Sequence, residues 1–502
     1  MFREAATSVA RNTSVMLFQH VITTASSILL LIFVPRYLGP AEYGRLYLAT
    51  AITAMFQIVV NFGNSYLIAK HIAREPEQTG QILVDALLLR TALATVSLAA
   101  MAAIGFLGGY PEEVRLLLLI NGAGLYVYVA YTSLYACFQG HEALRYTSAG
   151  AIIEKLSVSA VAIAGLVLGK GTVFLLLVLI GGSILDVIVL AVMARRIVPS
   201  LPRVRWRSAL AQMKEGVPYF LFAIFGVIYY KIDSVMLSKM SSEEVVGWYG
   251  GAYRLFETLN FPYLLTMAAY PVLSRLWKEE AHSHRRTTQK SLEIVLLLGI
   301  PVTIGGIALA RPIINMFFGL SGYEPAVFLF QLLMAGILFL YADMILGTTL
   351  LSVDRQRPLM ILSLSAIPFN VGLNFVLIPL FEHPGSNGAV GAAIATGITE
   401  VAIMIAVLRM LPAGTLAGFR WATVGKGAGA GAGMTLALMA CQAVRLPWPV
   451  AGLAATAVYG GLLFALRVFE PAELRFLRGL LRWKEVRTMV AGRAPDGAIV
   501  NE

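Results

Sequence analysis

The chain has 502 residues, 58% of them hydrophobic and only 13% charged, with a mean hydropathy of +0.76. A soluble domain carries about 25% charged residues, so too little polar surface is present to wrap a water-soluble body, and an integral membrane protein is expected. The formal charge of +11 at pH 7 does not call for a nucleic-acid partner, because its distribution along the chain, taken up below, suits anionic lipid instead.

The first residues include Arg3 and Arg11, followed by an apolar run to Pro35. That run is long enough to span and more spans follow, so a retained helix is expected and not a cleaved leader. Windows of about 20 apolar residues recur, which indicates helices; barrel strands would alternate over about 10 residues. About 14 spans are expected: 13–35, 44–68, 84–107, 115–137, 147–168, 172–194, 216–238, 246–270, 290–310, 326–350, 359–380, 388–409, 424–444 and 448–467. Turn signals such as "YLGPAEYG", "GGYPEE", "GKG", "EHPGSNG" and "RLPWP" separate them. An even number of spans puts both termini on one side. Of the 39 Lys and Arg, about 28 fall on that side and about 7 on the other, so both termini are expected in the cytoplasm. The longest loop on the poorer side, 311–325, has about 15 residues, too few for a catalytic domain.

Cys137 and Cys441 lie in apolar runs without CxxC spacing and are expected to be packing residues. No metal-ligand cluster or nucleophile–base pair is found, so no cofactor and no enzymatic activity are expected. "GKGAGAGAGM" (425–434) lacks the strand and the GK[ST] ending of a phosphate loop; its small residues suit close helix packing. After Pro471, "AELRFLRGLLRWKEVR" sets leucines and Trp483 against Arg and Lys, the pattern of an amphipathic helix on the inner leaflet or, as the other option, against a partner protein.

The chain also repeats itself. A shift of 203 positions aligns Arg36 with Lys239, Gly44 with Gly247 and Ala49 with Ala252. In each copy a span and then a basic loop follow. A duplicated six-helix bundle is expected: 1–200 as the N-terminal lobe and 201–412 as the C-terminal lobe. An extra helix pair (413–469) and a cytoplasmic tail (470–502) complete the chain. Repeats in transporters place the route between the two halves.

The segments "VPRYLGPAEYGRLYLATAI", "FGNSYLIAKHIAR", "YYKIDSVMLSKMSSEEVVGWYGGAYRLFE" and "YPVLSR" resemble those of polysaccharide transporters, the O-antigen-type flippases of lipid-linked oligosaccharides. Their superfamily also holds multidrug and toxin extruders and the lipid II flippase. The resemblance implies two six-helix lobes in a V around a central, cationic cavity, with two extra helices. It implies export of a polyprenyl-diphosphate-linked oligosaccharide across a bacterial or archaeal plasma membrane for polysaccharide biosynthesis, alongside membrane lipids and polymerase or assembly proteins as partners. It leaves the glycan open.

Charged side chains in hydrocarbon cost roughly 2.5–3.5 kcal/mol on insertion scales, so each needs water, a partner or a task. Arg90, Lys155, Lys231 and Arg254, with Tyr230 and Asn374, are the candidates for holding a diphosphate and sugars. Glu154, Asp233, Glu257, Asp343 and Glu400 are candidate counter-ions or coupling sites for H+ or Na+, between which the sequence does not choose. Lys231 and Asp233 point about 200° apart on a helix and cannot pair with each other. Glu154 and Lys155 diverge by about 100°, so separate partners are expected. Arg254 and Glu257, at i and i+3, can pair. Asp85 and Glu293 are expected to be solvated at span ends. Asn370 and Asn374 form a polar stripe that serves as interhelical glue or as cavity lining. Two other readings are weighed: a multidrug extruder of the same fold, which would prefer an acidic cavity, and a membrane glycan polymerase or ligase, which would need a large outer loop.

Overall fold

The computed structural model describes residues 2–62, 64–195, 197–198 and 202–469, so the amphipathic tail expected after Pro471 lies outside the described residues. Among the described residues every regular element is helical. The first lobe holds α1 (Phe2–Asn61), α2 (Asn64–Arg74), α3 (Thr79–Leu107), α4 (Glu112–Gly140), α5 (Leu144–Val167) and α6 (Thr172–Ala194). The second holds α7 (Trp206–Met240), α8 (Glu243–Thr258), α9 (Pro262–Glu279), α10 (Ala281–Ala308), α11 (Ala310–Phe317), α12 (Glu324–Ser352), α13 (Gln356–Phe381) and α14 (Gly388–Met410). The extra pair, α15 (Trp421–Ala443) and α16 (Trp448–Ala465), packs through α15 on α10. Gly427 and Gly431 of the glycine-rich run lie against Leu297, Ile300 and Ile304, so that run is a packing surface.

Eleven of the described helices are long and apolar enough to cross a membrane. The expected fourteen crossings are reached by counting bent α1 as two, α8 with α9 as one, and α15. Two details depart from the expected spans. Spans 1 and 2 are two helices within Phe2–Asn61 that abut at a kink at Gly39, where φ is 75°, with no loop between them. Glycine tolerates that angle, and Pro40 removes the next backbone donor, so the helical ladder cannot run through. The reversal is visible in the contacts: Gln19 meets Ser148 at the start of α5, Glu42 meets Thr172 at the start of α6, and Asn61 has returned to Arg90 in α3. The expected span 246–270 is broken at Leu259–Phe261, just before Pro262.

The two lobes meet mainly where loops are short and poor in basic residues, here called the sparse end. Arg45 Nε pairs with Glu243 Oε2 at 2.5 Å. Tyr43 packs its ring 6.3 Å from those of Phe318 and Tyr323. The contact is reciprocal. Gly44 lies so close to the Glu243 carbonyl that a Cβ there would overlap it, and Gly247 stands in the same relation to the Pro40 carbonyl. Glu243 and Gly247 are Pro40 and Gly44 shifted by 203 positions. Likewise Arg36 Nη2 donates to the Asn315 and Met316 carbonyls at 2.7 and 2.6 Å, while its repeat partner Lys239 donates back to the Gly108 carbonyl. The duplication is thus a pseudo-two-fold relation between lobes of like orientation.

At the opposite, basic end the lobes touch through α7. Phe220 stacks on Phe62 at 4.5 Å, and Glu215 takes His71 at 3.1 Å and Lys70 at 3.4 Å. Slight burial pushes the Glu215 carboxyl up, but His71 and Lys70 outweigh it and hold it below its ordinary range. Its help to this contact is therefore present near neutral pH and lost as pH falls through the lowered value. All three side chains are well exposed, so the contribution is small.

Candidate functional site

Lys231 and Asp233 project in opposite directions from α7, as helix geometry requires, and each enters a different cluster. Lys231 faces the first lobe. Its Nζ is 2.7 Å from Glu257 Oε1 on α8, 5.7 Å from the ring centre of Tyr47 on α1 and 5.5 Å from that of Tyr253. Arg254 Nη1 reaches the other Glu257 oxygen at 3.8 Å. The side chains of Lys231, Glu257 and Arg254 are 16%, 30% and 57% exposed, so the cluster is open, with two cations against one carboxylate. Tyr230, beside it, is also exposed. Along α8 the Arg254 and Glu257 side chains leave the helix about two to three turns from Gly247 of the seal, on the side toward the basic end.

Asp233 points into the second lobe and is buried. Its Oδ2 accepts from Tyr249 Oη and Thr396 Oγ1, both at 2.8 Å, and its Oδ1 accepts from Asn374 Nδ2 at 2.7 Å. Asn374 also donates to Asn370 Oδ1 at 2.9 Å, and Asn370 donates to Thr399. Asp233 is therefore satisfied by neutral donors from α8, α13 and α14 and joins four helices of one lobe. Asn370 and Asn374 are fully enclosed, which makes the stripe interhelical glue; in this conformation Asn374 cannot touch a substrate. One turn back, Tyr229 Oη donates to Glu400 Oε1 at 2.8 Å. Glu400 is buried within electrostatic range of Asp343, whose buried Oδ1 has no hydrogen-bond partner among the described residues.

The first lobe places its charges differently. Arg90 is fully enclosed. Its Nη1 donates to Ser133 at 3.0 Å and Thr132 at 3.3 Å, and its Nη2 to Asn61 at 2.9 Å and Ser65 at 3.0 Å. It clamps α1, α2, α3 and α4 together and does not line an opening. Glu154 and Lys155, expected to need separate partners, pair with each other at 3.4 Å, because the long lysine stem bends back across the divergence. Asp186, near them, is buried with neither oxygen hydrogen-bonded among the described residues. Asp85 and Glu293 are not solvated as expected. Asp85 is buried and accepts from Gln81 and from the backbone N–H of Arg205, and Glu293 is buried against Lys290 at 2.9 Å.

The structure thus brings Lys231, Tyr230, Arg254 and Glu257 together, sets Asp233 and Asn374 in a second cluster with Asp343 and Glu400 beside it, and leaves Arg90, Glu154 and Lys155 in the other lobe. Sequence reasoning missed Tyr47 and Tyr253 as the aromatic walls of Lys231, and Tyr249 and Thr396 as partners of Asp233. The signal was there in part: Tyr43/Tyr47 and Tyr249/Tyr253 are i, i+4 pairs, each presenting one face.

Comparison with protein families gives a match to the model described as polysaccharide biosynthesis protein over residues 9–277, more than half of the chain. The chain belongs to this family of polysaccharide transporters. The model of the lipid II flippase MurJ also matches this polysaccharide transporter, over residues 150–451. Among solved structures it is similar to the lipid II flippase MurJ in an inward closed conformation, with 13% identity, 94% of this chain and 99% of that chain covered, and a TM-score of 0.70. It is also similar to an inward-facing multidrug resistance MATE family transporter of the MOP superfamily, with 17% identity, coverage of 80% and 98%, and a TM-score of 0.60. A MOP superfamily transporter from Pyrococcus furiosus, with a binding pocket described as of reverse polarity, gives 15%, 81% and 96%, and 0.53. At these identities the likeness is one of fold: a multi-pass helical bundle. Comparison with curated protein sequences gives no match.

Proposed function

We propose that this polysaccharide transporter flips a polyprenyl-diphosphate-linked oligosaccharide by alternating access, and that the lobes 1–200 and 201–412 close in turn at either end. The observation that carries the reading is the open cluster of Lys231 and Arg254 between tyrosine faces. A diphosphate cannot cross hydrocarbon unescorted. Two cations sharing one carboxylate can replace part of its hydration with charge-assisted hydrogen bonds, and tyrosine rings and hydroxyls suit sugars. The basic bias supports a cytoplasmic location for both termini and the basic end. The lobe seal then lies on the outer side of the site, and the Phe62–Phe220 and His71–Glu215 contacts lie on its inner side.

Lys231→Ala is expected to lower flipping roughly 10- to 100-fold, the worth of one charged hydrogen bond, with Lys231→Arg restoring part of it. Protein abundance should be unchanged, because Glu257 keeps Arg254 as a partner when the lysine is lost. The measurement is movement of a fluorescent polyprenyl-diphosphate oligosaccharide in proteoliposomes; unaltered flipping at wild-type abundance would remove Lys231 from the site.

The multidrug extruder remains a second reading because Asp343 and Glu400 are acids behind the same cluster. We assign them instead to H+ or Na+ coupling. Asp343→Asn should abolish the response to an imposed gradient while exchange without a gradient persists. Movement of a cationic dye, with none of the saccharide, would support the extruder.

A further inference from the structure

A second charged region lies far from the lobe interface. The start of α10 and the turn before α15 enclose a cleft of about 660 Å3 at the basic end. Arg285, Arg286, Lys290, Arg420 and His282 line it, with Glu293 as the acid among the lining residues. Glu293 is already held by Lys290. Arg285 makes no hydrogen bond or ion pair among the described residues, and its Nη2 lies beside Gly418. The wall opposite α10 is fixed: Gln289 Nε2 donates to the carbonyls of Thr415 and Ala417 at 2.8 and 3.0 Å, and Gly418 adopts a φ of 76°. The cleft is therefore built by cross-bracing and is not merely a gap between side chains.

Its depth is readable from helix length. The 28 residues of α10 extend about 42 Å, against about 30 Å of hydrocarbon, so the first two turns project into the headgroup layer. At the same level Trp421 is exposed and packs edge-on against Phe419, 4.8 Å away, as expected of an aromatic anchor at a membrane interface.

We propose that this cleft binds a phosphate-type anion, supplied by the phosphodiester headgroup of an anionic phospholipid. Guanidinium groups from two elements converge on a volume too large for a single ion pair, and an interfacial tryptophan borders it where a glycerol and its chains would lie. Basic pockets between membrane helices at the basic leaflet have the chemistry for such headgroups.

The test is native mass spectrometry of the full chain released from vesicles of equal phosphatidylglycerol and phosphatidylcholine. Wild-type protein should retain phosphatidylglycerol selectively. Each basic residue near the surface contributes about fivefold, so Arg285→Gln with Arg420→Gln should weaken that retention roughly thirtyfold. Arg275→Ala, which removes a basic-end charge outside the cleft, should leave it unchanged. If the double variant does not fold, Arg285→Gln alone serves, since that side chain holds no partner. Equal retention of the two lipids by the wild type, or undiminished retention by the variants, would overturn the proposal. If inorganic phosphate at the same concentration displaces the lipid from the wild type, the anion source is free phosphate and the phospholipid assignment falls.

Discussion

Asp233→Ala is expected to remove most folded protein from the membrane, whatever it does to transport. The carboxylate receives three hydrogen bonds from Tyr249, Thr396 and Asn374, all inside the second lobe. Truncation strands the Tyr249 hydroxyl and one Asn374 N–H at about 1–3 kcal/mol each, while Thr396 can still donate to the Ala392 carbonyl, and the sum reaches the lower end of the 5–15 kcal/mol that holds a typical domain. Asp233→Asn should be much milder, because one amide oxygen can still accept from the two hydroxyls and Asn374 has an unused oxygen to offer. Thermal unfolding in detergent, read beside flipping, separates the cases. A monodisperse Asp233→Ala protein with wild-type melting and no flipping would make Asp233 a coupling group, not a strut. Arg90→Ala belongs with it. The sequence suggests a substrate ligand, but its enclosure and four neutral acceptors predict that abundance and activity fall together.

The second large effect is expected at the seal. Gly44→Val or Gly247→Val places carbon where a carbonyl of the other lobe already lies. Neither backbone can yield without separating the lobes. Overpacking costs about 1–3 kcal/mol per site, roughly a 5- to 150-fold shift away from the closed sparse end. A cysteine pair at Arg45 and Glu243 should cross-link readily in the parent and poorly in either glycine variant. Because the contact is reciprocal, the two variants should act alike. A strong effect from one and none from the other would show that the two halves of the seal are not equivalent.

Much of this fold is legible in the sequence because hydrocarbon imposes one rule on every span. Backbone groups must be satisfied within the helix, so length and apolarity reveal the crossings. The repeat is legible too, since Gly44/Gly247 and Arg36/Lys239 keep matching residue types at one fixed offset. Local breaks are harder. Nothing in hydropathy distinguishes two helices that abut at Gly39 from two joined by a loop, and Pro262 is a stronger stop than the apolar run around it suggests. Partners are hardest. Lys231 meets Glu257 from 26 positions away, and Asp233 meets Thr396 from 163. Such pairings depend on how helices rotate in the lobe, which periodicity does not encode. Hence Arg90 and Asn374, plausible ligands by type, are enclosed struts, whereas Lys231, Arg254 and Tyr230 remain open.

The reciprocal seal also bears on ancestry. Where residue 44 touches 243 and residue 247 touches 40, the geometry is that of an isologous interface, the kind two identical subunits form about a two-fold axis. A single six-helix protein carrying the shared "GPAEYG/SEEVVG" patch could have paired with itself through those glycines before fusion. Fusion then freed each half to change alone. One kept an arginine clamp, while the other acquired the lysine, the buried aspartate and the acids behind them, an asymmetry that no homodimer could have evolved.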